Sequence, residues 1–132
     1  MGSAATPMNA QPALSAIGQI AVTVTDVERA IAFYRDVLGM KFLFQFPNLG
    51  FFDCAGVRLM LSGSEKFTPS DNCALYFKVE DIQQSHATLA GRGVAFESAP
   101  RVIARMPDHD LWIAVFRDPD RNLLALMCER SR

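Results

Sequence analysis

IAVTVTDVERAIAFYRDVLG, residues 20–39, decides the fold. Around its start, Ile17 to Thr25 alternates with period two. Ile20, Val22 and Val24 fall on one face and Gln19, Ala21 and Thr23 on the other, which reads as a strand with one strongly apolar side. Asp26 then offers a helix cap. Val27, Ala30, Ile31, Tyr34, Val37 and Leu38 recur at helical spacing, and Gly39 supplies a left-handed stop. Working outward, three short strands are expected at Met40–Phe46, Leu49–Cys54 and Val57–Ser62, with Pro47-Asn48 and Ala55-Gly56 as turns. Glu65 to Asn72 is polar, contains Pro69 and reads as a linker.

The pattern then starts again. Cys73 to Val79 alternates, with Leu75, Phe77 and Val79 on the inner face. Asp81 caps a second helix whose apolar side carries Ile82, Ser85, His86 and Leu89 and which ends near Gly91 and Gly93. Strands are expected at Val94–Glu97, Arg101–Met106, Leu111–Arg117 and Asn122–Cys128. A shift of 55 residues superposes Ile20, Val22, Val24, Asp26 and Val27 on Leu75, Phe77, Val79, Asp81 and Ile82; a shift of 65 aligns Asp53, Leu59 and Leu61 with Asp118, Leu124 and Leu126. Each half reads strand–helix–strand–strand–strand and, at about 55 residues, is marginal by itself. The expected class is therefore α+β: two tandem βαβββ modules forming curved mixed sheets, helices outside, with a concave cleft. The boundaries are a disordered tail over 1–13 and a single domain over 14–132, divided into module one (17–64), linker (65–72) and module two (73–129).

The chain has 132 residues, half of them hydrophobic, and 13 basic against 14 acidic side chains. So much apolar surface excludes disorder over the whole length. A net charge of −1 argues against nucleic-acid binding, which favours a basic stripe. No apolar run approaches the ~18–20 residues of a membrane span. Met1 to Ala13 has no Lys or Arg and no long apolar stretch, so a secretory signal is not expected. Cys54, Cys73 and Cys128 are an odd number in a chain that needs no staple, which suits reduced thiols in the cytoplasm. None has a neighbouring His to activate it as a nucleophile.

With Val57 to Leu61 (VRLML), Phe77 to Ile82 (FKVEDI) and Phe116 to Leu126 (FRDPDRNLLAL), the opening stretch resembles the vicinal oxygen chelate superfamily of glyoxalase I, bleomycin-resistance proteins and extradiol dioxygenases. The resemblance runs across nearly everything from Ile17 to Cys128 and is much less specific for any one activity. It implies paired modules, commonly a homodimer, and a U-shaped cleft. Metal-dependent members hold a divalent ion with His, Glu or Gln from four strands. Carried over, those positions are Gln19, Met60, Ala74 and Ala125. Only Gln19 can coordinate: a thioether suits no hard divalent cation, and alanine offers no donor. No metal and no cofactor are therefore expected. Gln19 reads equally as a ligand contact or as a strand residue facing water.

His86 aligns with Ile31 and belongs on the sheet-facing stripe of its helix, not in the cleft. His109 stands in MPDHDLW just before a strand, where Asp108 or Asp110 can orient its ring as a general base; a solvated turn is the other reading. If Arg117 pairs with Asn122, then Trp112, Ala114 and Phe116 share the face of Leu123, Ala125 and Met127. The expected cleft then contains Trp112, Phe116, Tyr76, Met60, Met127, Ala74 and Ala125, with Arg58, Lys78 and Gln19 as its polar points. Such a surface suits an organic ligand with a planar or apolar part, or else packs a dimer interface. Arg121 departs from the glycine usual in a DPDGN turn, which places a non-glycine residue at positive φ or alters the turn. Two functions remain. One is a metal-free binding protein for a small organic molecule, acting as a cytoplasmic homodimer without nucleic-acid or membrane partners. The other is a glyoxalase-like lyase or isomerase, or a dioxygenase relative, with His109 as acid/base.

Overall fold

The computed structural model describes residues 12, 14, 16–66, 68 and 73–131. The tail expected over 1–13 falls, apart from residue 12, outside the described residues, as do 67 and 69–72 of the expected linker. Strands β1 (Gln19–Val24), β2 (Lys41–Phe46), β3 (Leu49–Cys54) and β4 (Val57–Gly63) form one sheet in the order β1-β4-β3-β2. Strands β5 (Ala74–Lys78), β6 (Arg101–Arg105), β7 (His109–Arg117) and β8 (Leu123–Ser131) form the second in the order β5-β8-β7-β6. In each sheet the first strand runs parallel to the last, and the remaining pairs are antiparallel. The repeat extends to register: Ile20 lies opposite Leu59 in the first sheet, and Leu75 lies opposite Leu124 in the second.

Both helices start where a carboxylate meets a free backbone N–H. Asp26 Oδ1 accepts from Arg29 N at 3.1 Å before α1 (Val27–Ala32), and Asp81 Oδ1 accepts from Gln84 N at 3.1 Å before α2 (Ile82–Gly91). The first helix does not stay α-helical to Leu38, as its periodicity implies. It widens into a π-helical turn over Phe33–Val37, closed by Leu38 N donating to Phe33 O at 3.0 Å. Gly39, at φ 74°, then lets Met40 N reach back to Tyr34 O at 3.0 Å. Under α1, Gly50 is the close approach: a Cβ there would stand 2.8 Å from Ile31 Cγ1.

One apolar core serves both modules. It contains Val24, Val27, Ile31, Tyr34, Phe52 and Leu61 from the first half, with Ile82, Ala114, Phe116, Leu124 and Leu126 from the second. Its polar centre is Asp118, buried at the β7–β8 turn. Tyr34 Oη donates to Asp118 Oδ2 at 2.8 Å, while Asp118 Oδ1 accepts from the backbone of Asp120 at 2.9 Å and of Asn122 at 2.8 Å. Asn122 Nδ2 donates to Asp118 Oδ2 and, across the module boundary, to Thr23 O at 3.0 Å. Arg29 Nη2 and the Thr25 hydroxyl both reach Asp120 Oδ1. Burial first, and then the adjacent Asp118 charge, push the Tyr34 phenol far above its ordinary pKa, so it remains a donor.

The strands also depart from the sequence reading. Val94–Glu97 is not a strand; only Phe96 bridges to Phe116, because β6 takes the edge of the sheet. Strand β7 begins at His109, so this residue belongs to the sheet and not to the preceding turn. Most consequentially, Arg117 pairs with Leu123, not Asn122. The Asp118 carboxylate captures the Asn122 N–H, which makes the loop five residues long where four were expected. A one-residue change of register exchanges the two faces of a strand.

Two expectations follow. Tyr34→Phe removes a bond to a buried carboxylate and should lower unfolding free energy by about 1.5–3 kcal/mol in urea titration. A loss near zero would mean that Asp118 needs no phenol. Arg121 has φ 67°, so the positive-φ alternative holds. Arg121→Gly should raise the unfolding free energy by about 0.5 kcal/mol, relief of left-handed strain outweighing the added chain entropy; a lower midpoint would contradict this.

Candidate functional site

Side chains alternate across a sheet, so register alone gives the composition of each open face. On the first sheet, away from the helices, three rows cross the strands. Gln19, Arg58, Asp53 and Lys41 form the first; Ala21, Met60, Phe51 and Phe44 the second; Thr23, Ser62, Leu49 and Phe46 the third. Gln19 Nε2 approaches Met60 Sδ at 3.9 Å. Phe51 is stacked on Phe44 with centroids 4.8 Å apart, and Phe46 meets both edge-on. Arg58 Cζ lies 6.0 Å from the Phe51 centroid. Phe44 and Phe46 remain 42% and 55% exposed.

The three phenylalanines are absent from the sequence-derived site. Phe42, Phe44 and Phe46 alternate and would share one face of a regular strand. An irregularity at Leu43 sends Phe42 to the core opposite Phe52 and turns Phe44 outward opposite Phe51. Nothing in the local sequence announces that bulge.

On the second sheet the open face carries Ala74, Tyr76 and Lys78 from β5 and Leu123, Ala125, Met127 and Glu129 from β8. Strand β7 adds His109, Leu111, Ile113, Val115 and Arg117. Trp112 and Phe116, expected in the cleft, are on the opposite face, as the five-residue loop requires. Trp112 lies beneath Arg130, whose Cζ is 5.1 Å from the ring, and Arg130 in turn donates to Gln83 of α2 at 2.7 Å. Phe116 is fully buried and lines a cavity of about 300 Å³ on the helix side, with Leu38, Met40, Thr88, Leu89 and Arg92. Ile113 and Val115 take the cleft-side places.

His109 is the centre of a chain of charges. Its Nδ1 is 2.7 Å from Asp108 Oδ1 and its Nε2 is 3.3 Å from Glu129 Oε2, while Glu129 Oε1 is 2.8 Å from Lys78 Nζ. Both neighbours of the ring are acceptors, so only the imidazolium donates to both. The hydrogen bond from His109 holds the Asp108 carboxyl below the usual range, and that from Lys78 does the same for Glu129. With its carboxyl depressed, the Glu129–Lys78 pair stays intact above the carboxylate range and is lost as pH falls through it. Asp110, the other candidate partner of His109, is engaged by Arg105 at 2.9 Å. Glu129 was beyond the expected end of its strand, which is why the sequence did not reveal it. His86 stacks on Phe96 at 4.3 Å between ring centroids, at the core edge.

The chemistry of the four resemblance-derived positions does not fit a hard divalent ion. Gln19 and Met60 offer an amide and a thioether, and Ala74 and Ala125 only methyl groups. Among the described residues no three His, Cys, Asp or Glu side chains converge for an ion.

Residues 16–126 match the family model of the Glyoxalase/Bleomycin resistance protein/Dioxygenase superfamily. The protein YraH of Bacillus subtilis (strain 168), itself uncharacterized, is 28% identical over 126 residues, spanning 82% of this chain and 94% of its own. A superfamily member from Sphaerobacter thermophilus DSM 20745 superposes with a TM-score of 0.69 at 25% identity, covering 88% of this chain and 98% of that one. A lactoylglutathione lyase from Agrobacterium tumefaciens superposes with a TM-score of 0.69 at 23% identity, covering 86% and 93%. This chain belongs to the Glyoxalase/Bleomycin resistance protein/Dioxygenase superfamily.

Proposed function

We propose that this protein binds a small organic molecule on the open faces of its sheets without a metal ion, as a cytoplasmic homodimer. The observation that carries the reading is that Met60, Ala74 and Ala125, at positions that the resemblance assigns to metal ligands, offer no donor for a hard cation on a scaffold of this family. Around them the lining is thioether, aliphatic and aromatic, with Gln19, Arg58 and Lys78 as polar points, a composition that favours a ligand with an apolar or planar part. Exposed Tyr76, Phe44 and Phe46 provide the apolar area that a second copy or a ligand would cover. Cys54, Cys73 and Cys128 are free thiols, consistent with a reducing compartment. No helix among the described residues is long and apolar enough to cross a membrane.

Elemental analysis of the purified protein should give far less than one Ni, Zn, Mn or Fe per chain; stoichiometric metal would overturn the proposal. A thermal-shift screen against metabolites and antibiotics should yield a stabilising compound. At 100 times its Kd a ligand adds about 2.7 kcal/mol. A screen without any stabilising compound counts against binding.

A second reading, a glyoxalase-like lyase or isomerase or a dioxygenase-related enzyme, is favoured by one feature: the His109 imidazole held between Asp108 and Glu129 at the edge of the open face. There His109 serves as acid or base once one carboxylate lets go of the ring. Under this reading His109→Asn lowers turnover of an identified substrate by about 10²–10⁴-fold with the unfolding midpoint little changed. Unchanged turnover removes His109 from the chemistry.

A further inference from the structure

The two open faces are electrostatically different. On the second sheet Lys78 is matched by Glu129 at 2.8 Å and Arg117 by Glu97 at 2.6 Å. On the first, Arg58 and Lys41 flank a single carboxylate, Asp53, whose Oδ1 is turned to the backbone N–H of Gly56 at 3.2 Å. Among the described residues neither cation forms an ion pair. Among the described residues the Arg58 guanidinium makes no side-chain hydrogen bond and lies over the Phe51 ring. Beside it, Phe44, Phe46 and Phe51 present a three-ring platform, two of whose members are exposed.

An unmatched guanidinium next to exposed aromatic rings has a definite chemical complement. The rings favour a flat π-system, offset-stacked or edge-on. The guanidinium favours a planar oxyanion that accepts two parallel hydrogen bonds, and Gln19, opposite Arg58 in the sheet, adds an amide donor. Arg58 Cζ lies over the Phe51 ring at 6.0 Å, so the guanidinium and the rings belong to one continuous surface. We propose that the open face of the first sheet recognises an aromatic carboxylate, its ring on the exposed Phe44 and Phe46, which Phe51 supports from below, and its carboxylate at Arg58. This rests on the reading of the open faces as ligand-binding surfaces and specifies which sheet and which class of ligand.

The test uses the full chain and three probes: 2-naphthoate, its neutral isostere naphthalene-2-carboxamide, and cyclohexanecarboxylate. Affinities come from isothermal titration calorimetry and the contact residues from amide chemical-shift mapping. The expected result is that 2-naphthoate binds at least tenfold tighter than either other probe and shifts residues of β2, β3 and β4. Arg58→Gln should cost the acid tenfold or more and leave the amide nearly unchanged. Phe44→Leu should weaken acid and amide alike, whereas Ile103→Ser, at an exposed apolar position on β6, should affect neither. Loss of the acid-over-amide preference in the wild type, or shifts confined to β5, β7 and β8, would overturn the assignment while leaving a binding cleft in place. If sedimentation shows that Phe44→Ser splits a dimer whose formation blocks 2-naphthoate, the face is an interface between copies and the assignment falls. Failure of the probes together with an empty ligand screen removes both this inference and the binding function on which it stands.

Discussion

A buried hydrogen bond between Tyr34 and Asp118 holds the molecule together across its repeat. Each residue is ordinary in its own segment: Tyr34 continues the apolar stripe of the first helix, and Asp118 opens a polar turn. Together they tie module one to module two at the point where the shared core would otherwise end in an unsatisfied carboxylate. Such a group is costly without partners, and Asp118 has four donors: the Tyr34 hydroxyl, two backbone N–H groups and the Asn122 amide. The same carboxylate sets the length of the β7–β8 loop, and through it the face on which every side chain of β7 lies.

The lock occurs once, although the chain is a repeat. The counterpart of Tyr34 is Leu89, which has no hydroxyl, and the counterpart of Asp118 is Asp53, which caps Gly56 at a two-residue turn. Where Leu89 takes the tyrosine's place, a cavity of about 300 Å³ stays open beside α2. The halves therefore share strand order and the register of their parallel pairs but differ at their turns. Asp118 and Asn122, within the stretch that most closely resembles the family, are engaged in joining modules. That family motif marks the scaffold more than it marks an activity.

The open faces differ in how their charges are arranged. One gathers rings beside positive charge and the other closes its charges into pairs. Asp108, His109, Glu129 and Lys78 form a continuous chain along one end of the second sheet, where the cations are satisfied from within. On the first sheet they are not. A duplicated frame thus carries two chemically different faces.

The order of elements, both Asp-capped helices, the Gly39 stop and the repeat were legible in the sequence, because each depends on short-range periodicity and on residues with one conformational use. Which side chains share each open face was not legible. Two local irregularities decided it: a bulge at Leu43 that parts Phe42 from Phe44, and a carboxylate 118 that draws Asn122 out of the ladder. Both arise because the strands must satisfy the core and the turn at once. A strand's two faces are exchanged by a single residue of register, so the side-chain contact between Asp118 and the Asn122 N–H selects between them where the sequence alternation could not.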